Sequence, residues 1–210
     1  MTNLFPSHLE TERLIFEQLS HEYVDIFDLY RIRGEEAARD GIGEYLPWKP
    51  HQTPKETADL IERAESEWST GKVARYILRT KIDDLDNREI VGYAKLEVNW
   101  PKKTGSLGIW LRKPYWGRGL SGERVDALLA LAFERLSLEI VEAMHQDGNE
   151  KSQRAIEKYV DRYGGQYEGM LRNWQKTSND IVDVHRYTIT AEQYATSSHA
   201  AEYREFSDGT

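Results

Sequence analysis

The sequence predicts an α/β fold: a mixed, mostly antiparallel central sheet, helices on both faces, and one parallel strand pair near the middle. Three observations carry this. An apolar strand, Leu107 to Leu111, runs through a glycine-rich turn into a helix whose Val125, Leu128, Leu129, Ala132, Phe133 and Leu136 fall at helical spacing. A second apolar strand, Leu138 to Met144, follows that helix, and a strand–helix–strand path implies a right-handed parallel crossover. Elsewhere β-rich runs are joined by short polar turns, which favours antiparallel neighbours.

The elements follow in order. Residues 1–8 read as a loose lead-in, and Glu12 to Leu19 as a strand with Leu14 and Phe16 on one face. Ser20 is a predicted helix cap, with Val24, Phe27 and Tyr30 pointing inward. Gly34 to Pro50 is irregular, broken by Gly41, Gly43, Pro47 and Pro50. Thr53-Pro-Lys-Glu56 predicts a capping box with proline in the first turn, opening a helix that carries Ala58, Ile61, Ala64 and Trp68 and ends at Gly71. Val73 to Thr80 and Glu89 to Val98 read as strands around a tip at Asp83 to Asn87. The aspartates of that tip lack the spacing, glycine and distal glutamate of a calcium loop. Pro101 to Gly105 turns the chain into the strand before the glycines. Gly148 ends the second parallel strand, and Asn149 starts a helix with Ala155, Ile156 and Tyr159 on one side. Gly169 to Asn173 and Ile181 to Ile189 close the sheet as an antiparallel pair. The expected organisation is one domain over residues 1–190 and a polar, mobile tail over 191–210.

Composition narrows the function. The 210 residues suit one domain with a sizeable core. No apolar run approaches the length that spans a bilayer, and the start lacks a signal peptide's basic-then-apolar pattern, so cytoplasmic location is expected. With no cysteine there is no disulfide framework, thiolate metal site or cysteine nucleophile. The six histidines show no metal-ligand spacing, so no metal is expected. A net charge of −8 argues against a nucleic-acid binder, and it either favours a cationic acceptor or only aids solubility. No membrane partner is expected, and the chain is expected to be a monomer or homodimer.

The stretch from Ile109 to Glu123 concentrates the chemistry. Gly117, Gly119 and Gly122 leave backbone N–H groups unshielded just where a helix begins. Free N–H donors and the positive end of the helix dipole make that turn a phosphate site, and Arg118 adds a fixed charge beside it. Gly-Arg-Gly-Leu-Ser-Gly matches G-x-G-x-x-G, but Arg112 to Trp116 separate it from the strand, and no alternating strand–helix pattern surrounds it as a dinucleotide fold requires. A P-loop is excluded, because no Gly-Lys-Ser/Thr closes the turn.

Tyr115-Trp-Gly-Arg-Gly-Leu-Ser121 resembles the pyrophosphate loop of the GNAT N-acetyltransferases, Gln/Arg-x-x-Gly-x-Gly/Ala, with Trp116 at the first position and Ser121 at the last. The wording is similar to the RimJ/RimL-like branch. Asn149-Glu-Lys-Ser152 resembles the family's Asn-x-x-Ser, and Gly164 to Asn173 its Gly-Phe-x-x-Glu-Gly-x-x-Arg segment, with Gly165 in place of Phe and a lengthened helix before it, around Val160 to Tyr163. Leu9-Glu-Thr-Glu-Arg-Leu14 and Tyr45-Leu-Pro-Trp48 add two further echoes, so the likeness runs from about Leu9 to Thr190.

The resemblance implies a GNAT fold whose parallel strands splay apart around the pantetheine arm of acetyl-CoA, the co-substrate. It implies transfer of an acetyl group to a primary amine, most simply a protein or peptide N-terminus, with a small amine of polyamine or aminoglycoside type, or a non-catalytic CoA-binding module, as the rival readings. The cofactor would be held by Trp110, Leu111, Arg112, Trp116, Gly117, Arg118, Gly119, Leu120, Ser121, Gly122, Asn149 and Ser152. Two family features are missing: the strand Thr104 to Leu111 carries no carboxylate, and the position of the family's acidic tyrosine is Ile156. Three substitutes stand. Glu97 shares a strand face with Tyr93, Lys95 and Asn99 and is either the base or a solvated carboxylate paired with Lys95. Ser152 either donates to the departing thiolate or serves the helix start. His145 has a ring suited to proton transfer or is a satisfied, half-buried histidine. For the acceptor, Tyr45 and Trp48 are expected to wall a slot and Glu44 to pair with a cation, with Trp48 otherwise a plug under the loop. Trp174 and His185 would face them from the last hairpin.

Overall fold

The computed structural model describes residues 4–37, 45, 48–81, 89–177 and 180–198. Eight strands form a single sheet: β1 (His8–Glu10), β2 (Leu14–Gln18), β3 (Val73–Thr80), β4 (Ile90–Asn99), β5 (Thr104–Leu111), β6 (Ile140–Gln146), β7 (Gln166–Lys176) and β8 (Ile181–Thr190). Their order is β1-β2-β3-β4-β5-β6-β8-β7, and every neighbouring pair is antiparallel except β5 and β6. The α/β class and the single parallel pair are as the sequence predicts.

Alternation on the strands sets the two layers. On one face Ile77, Ile90 and Trp110 pack against α1 (Ile26–Tyr30), the wider turn Arg31–Glu36 that continues it, and α2 (Pro54–Ser69). On the other, Ala94, Leu96, Val98, Val141 and Ala143 meet α3 (Leu120–Ala130) and α4 (Glu150–Arg162). Among the described residues no helix is long and apolar enough to cross a membrane.

Several local expectations are corrected. His8–Glu10 is a strand rather than part of a loose lead-in, paired with β2. Ser20 does not cap α1. Asp25 does, its carboxylate accepting from the N–H groups of Phe27 and Asp28, because a charged acceptor next to the first turn outcompetes a hydroxyl further away. The helix is thereby rotated, so Leu29 is buried and Phe27 is 65% exposed. Thr53 makes no side-chain cap, and Glu56 instead accepts from the N–H of Gln52. Ala191–Thr196, expected within a mobile tail, is a helix, α5. A reciprocal Thr190/Gln193 box opens it, and buried Tyr194 donates to Glu134 at 2.6 Å and stacks against Phe133 and Tyr163. Residues 199–210 lie outside the described residues, as does the Asp83–Asn87 tip.

The sheet divides at its parallel pair. Only Thr104, Gly105 and Ser106 pair with Ile140, Val141 and Glu142. Beyond that point β5 stays bonded to β4 as far as Gly92 opposite Leu111, and β6 to β8 as far as Gln146 opposite Val184. A cleft opens between Leu107–Leu111 and Ala143–Gln146, closed at its vertex by Ser106 and Glu142.

Candidate active site

The mouth of the cleft is built by backbone. Gly117 and Gly119 adopt φ of +74° and +78°, a region side chains avoid, and this turns the chain so that α3 begins at Leu120 with Gly119 as its cap. No hydrogen bond from the N–H groups of Gly117 through Ser121 is found among the described residues. A Cβ at Gly117 would meet nothing within 4 Å, so the space beside these donors is open.

The first residues of the chain fix that turn. Glu123, 7% exposed, accepts from the Thr11 hydroxyl, from the Arg13 N–H at 2.7 Å and from Arg13 Nε at 2.7 Å. Arg13 Nη1 also donates to the carbonyl of Arg118 at 2.9 Å. The Leu9–Leu14 segment thus pins the first turn of α3. Arg118 itself is exposed and lies over the Tyr115 ring at 5.3 Å, and the Leu120 side chain is buried in the core, leaving its N–H as the group on offer.

Ladder alternation corrects the expectation for the strand. The Arg112 N–H is bonded to Val91 O, and its guanidinium to Glu89 and to Ile90 O, so Arg112 faces away from the cleft. Trp110 stands opposite Tyr93, two positions along the same ladder, so its backbone also turns toward β4. Ile109 and Leu111 are the residues whose backbone points into the gap. The Leu111 carbonyl already accepts from Trp116 Nε1 at 2.8 Å, and Lys151 Nζ sits 4.6 Å from the Trp116 ring centre, bridging the two walls.

Across the gap, Asn149 caps α4 by accepting from the Ser152 N–H at 3.1 Å, the expected helix start. Lys151, Arg154, Lys158 and Arg162 repeat at helical spacing along α4 and border the cleft. Sequence reasoning missed this stripe, although its spacing was visible.

Of the proton-transfer candidates, Glu97 lies opposite Ser106 on β5, and both line the cleft. The Lys95 ammonium, 2.7 Å away, holds its carboxyl below the usual carboxylate range, against a smaller upward push from burial. Ser106 has a second acidic neighbour: Glu142 of β6, less exposed and held at 2.8 Å by Arg186 Nε. Only strand register reveals Glu142, so the sequence could not. Ser152 lines the cleft, one turn into α4. His145 has both ring nitrogens engaged, Nδ1 with Gln146 O at 2.9 Å and Nε2 facing the Tyr187 hydroxyl at 3.4 Å, and its ring stacks on His185 at 4.8 Å. Burial, joined by the nearby His185, pushes the His145 pKa down. Tyr159, one turn beyond Ile156, also reaches the cleft, with burial pushing its hydroxyl up to about 12.

The opposite wall is aromatic. Tyr45, Trp48, Tyr93 and Trp110 line it. The Tyr45 hydroxyl donates to Gly148 O at 3.3 Å and the Tyr45 carbonyl accepts from Gln146 Nε2 at 3.1 Å, tying its segment to the end of β6. Trp48 is both wall and plug: its ring meets Trp110 edge-on at 5.7 Å and covers the Arg33 guanidinium at 3.9 Å. Glu44 lies outside the described residues. Trp174 lines the cleft from β7, 61% exposed, whereas His185 turns to Tyr167 and Asp147 instead.

Comparison with known proteins points to one family. The Acetyltransferase (GNAT) domain family matches residues 13–159. The chain belongs to the GNAT acetyltransferase family. It is an acyltransferase, and acetyl-CoA is its acetyl donor. An "Uncharacterized N-acetyltransferase p20" of Bacillus licheniformis is 24% identical over 188 residues, 89% of this chain and 98% of that protein. Among solved structures, the microcin C7 self-immunity acetyltransferase MccE, in complex with acetyl-CoA and AMP, superimposes with a TM-score of 0.74 at 16% identity, covering 90% of this chain and 99% of that one. RimL, a ribosomal L7/L12 α-N-protein acetyltransferase, gives 0.72 at 14% identity, covering 89% and 95%.

Proposed function

We propose that this GNAT acetyltransferase acetylates the N-terminal amine of a protein or peptide. The carrying observation is the cleft between β5 and β6, lined by basic residues and open amides on one side and by an aromatic wall on the other. That division suits a phosphorylated donor entering from the α3–α4 side and an acceptor meeting it at the vertex. The resemblance to the RimJ/RimL-like branch, and the RimL likeness in fold, support a polypeptide acceptor.

In this reading the amides from Gly117 to Ser121 take the diphosphate, Trp116 and the Asn149–Ser152 turn flank it, and the α4 stripe offsets its charge. Backbone groups at Ile109 and Leu111 pair with the pantetheine arm. Glu97 removes a proton from the acceptor ammonium, directly or through water, and Ser152 donates to the departing thiolate. His145, already satisfied by its neighbours, holds the end of β6. Positioning at the vertex supplies rate on its own. The enzyme is expected to work in the cytoplasm, without a metal, as a monomer or homodimer.

Mass spectrometry of products from a panel of peptides and polyamines, with acetyl-CoA as donor, is the test. Acetylation of peptide α-amines supports the reading. Exclusive acetylation of polyamines replaces it with a small-amine transferase.

A further inference from the structure

Behind the aromatic wall lie two buried N–H donors without a partner. Arg33, on the turn that continues α1, is 5% exposed. Its guanidinium lies 3.9 Å from the Trp48 ring centre and 5.4 Å from that of Tyr93. Its Nε has no hydrogen-bond partner, and the group that engages the rest of the guanidinium is the neutral Tyr93 hydroxyl. Trp110 Nε1, on the ring that meets Trp48 at 5.7 Å, is likewise buried and unpartnered.

The charges around this cluster do not supply what is missing. Burial lowers the Arg33 pKa to about 10, and Arg75 adds to the fall. His51, whose N–H donates to Arg33 O at 3.2 Å, has its ring pushed down to about 4 by burial and by the Arg33 charge, so it brings no anion. Glu56 is felt at His51. The Tyr93 hydroxyl hydrogen-bonds the Arg33 guanidinium and opposes part of the fall in its pKa, but it carries no full charge, and Tyr93 adds a ring face. The faces of Trp48 and Tyr93 give part of the stabilisation a buried cation needs, and the rest is absent. A buried guanidinium without a counter-ion is costly, and so is an indole N–H without an acceptor. The complement of a planar guanidinium fork beside a single N–H is an oxyanion.

We propose that Arg33, with Trp110 Nε1, binds an oxyanion carried by the acceptor, a carboxylate or a phosphoryl group, and so selects amines that bear a negative charge near the reacting nitrogen. This rests on the peptide-acceptor reading of the cleft. It reverses what the acidic composition suggests: the bulk surface is negative, but the acceptor wall is built for an anion. On a peptide N-terminus the group would be an acidic or phosphorylated side chain close to the first residue.

Steady-state kinetics with C-terminally amidated peptides decide it, since amidation leaves the side chain as the one anion. Ala-Glu-Ala, Ala-Gln-Ala and Ala-phosphoserine-Ala are compared in the native protein and in Arg33→Lys and Arg33→Met. The native enzyme is expected to favour an anionic peptide over the glutamine peptide by about tenfold or more in kcat/KM, the range of a hydrogen bond to a charged group. Whether glutamate or phosphoserine gains more names the source of the oxyanion. Arg33→Met is expected to bring the ratio to about one with the acetyl-CoA KM unchanged, and Arg33→Lys to keep part of it. Equal rates for all three peptides in the native enzyme overturn the proposal without any variant. So does an Arg33→Met enzyme that loses activity equally on every peptide, because Arg33 then only supports Trp48. If no peptide is acetylated, the peptide reading fails, and calorimetric titration of the CoA-saturated protein with the same peptides still decides the site: tighter binding of the anionic peptides supports it, and equal binding overturns it.

Discussion

The two ends of the cleft are made in different ways. The proposed donor end is backbone: amides from Gly117 to Ser121, turned outward by two glycines with positive φ and pinned through Glu123 to Thr11 and Arg13. The proposed acceptor end is side chain: Trp48, Tyr93 and Trp110, with Arg33 behind them, drawn from segments far apart in the chain. A main-chain site tolerates changes of side chain and fails when a Cβ or a charge enters the turn. A side-chain site fails gradually, one contact at a time.

Gly119→Asp should give the largest effect. It places a carboxylate beside the amides and imposes a left-handed conformation that costs a side chain about 1–2 kcal/mol. Acetyl-CoA binding measured by calorimetry is expected to vanish while the protein still folds. Retained binding would remove the donor end from this turn. Glu97→Gln comes next, with kcat reduced about 10²–10⁴-fold, the usual worth of general base catalysis, and acetyl-CoA affinity unchanged. An unaltered kcat would shift the role to Glu142, to be tested by Glu142→Gln. Trp48→Leu removes one ring of the acceptor wall. It is expected to raise the acceptor KM about tenfold, consistent with aromatic and cation–π terms of about 0.5–2 kcal/mol each, and to spare the acetyl-CoA KM. If both constants move together, the two ends are not separable.

The smallest effect is on stability. His51 has a folded pKa of about 4, below the ordinary histidine value of 6.5, so between those values the unfolded chain binds more protons. Stability attributable to His51 is therefore full above about pH 6.5 and falls as pH drops toward 4. His51→Gln, which keeps a partner for the Thr57 hydroxyl, is expected to narrow the difference in Tm between pH 5 and pH 7. An unchanged difference would mean that His51 does not titrate in this range.

The same contrast explains what the sequence made legible. Local signals were readable: the glycine turn, the Asn149 cap and the strand–helix–strand crossover depend on a few neighbouring residues. Phe27 was misplaced because two caps competed, and Asp25 won over Ser20. The α5 helix was hidden by polar composition, although Thr190 and Gln193 carried its capping box. Arg112 faced the wrong way because ladder direction is not written in one strand. Glu142 and Arg33 gave no local sign, since only the Ser106 register brings the one to the cleft and only tertiary packing puts the other behind Trp48 and Tyr93.

The row of Lys151, Arg154, Lys158 and Arg162 sits on a molecule with formal charge −8. A polyanion diffusing in from solvent is therefore repelled over most directions and drawn along one edge, which filters encounters by orientation before any contact forms. Because the Debye length is about 8–10 Å at ordinary ionic strength, added salt flattens that landscape and slows capture. The spent coenzyme leaves through the same field, so the attraction that speeds loading also delays unloading.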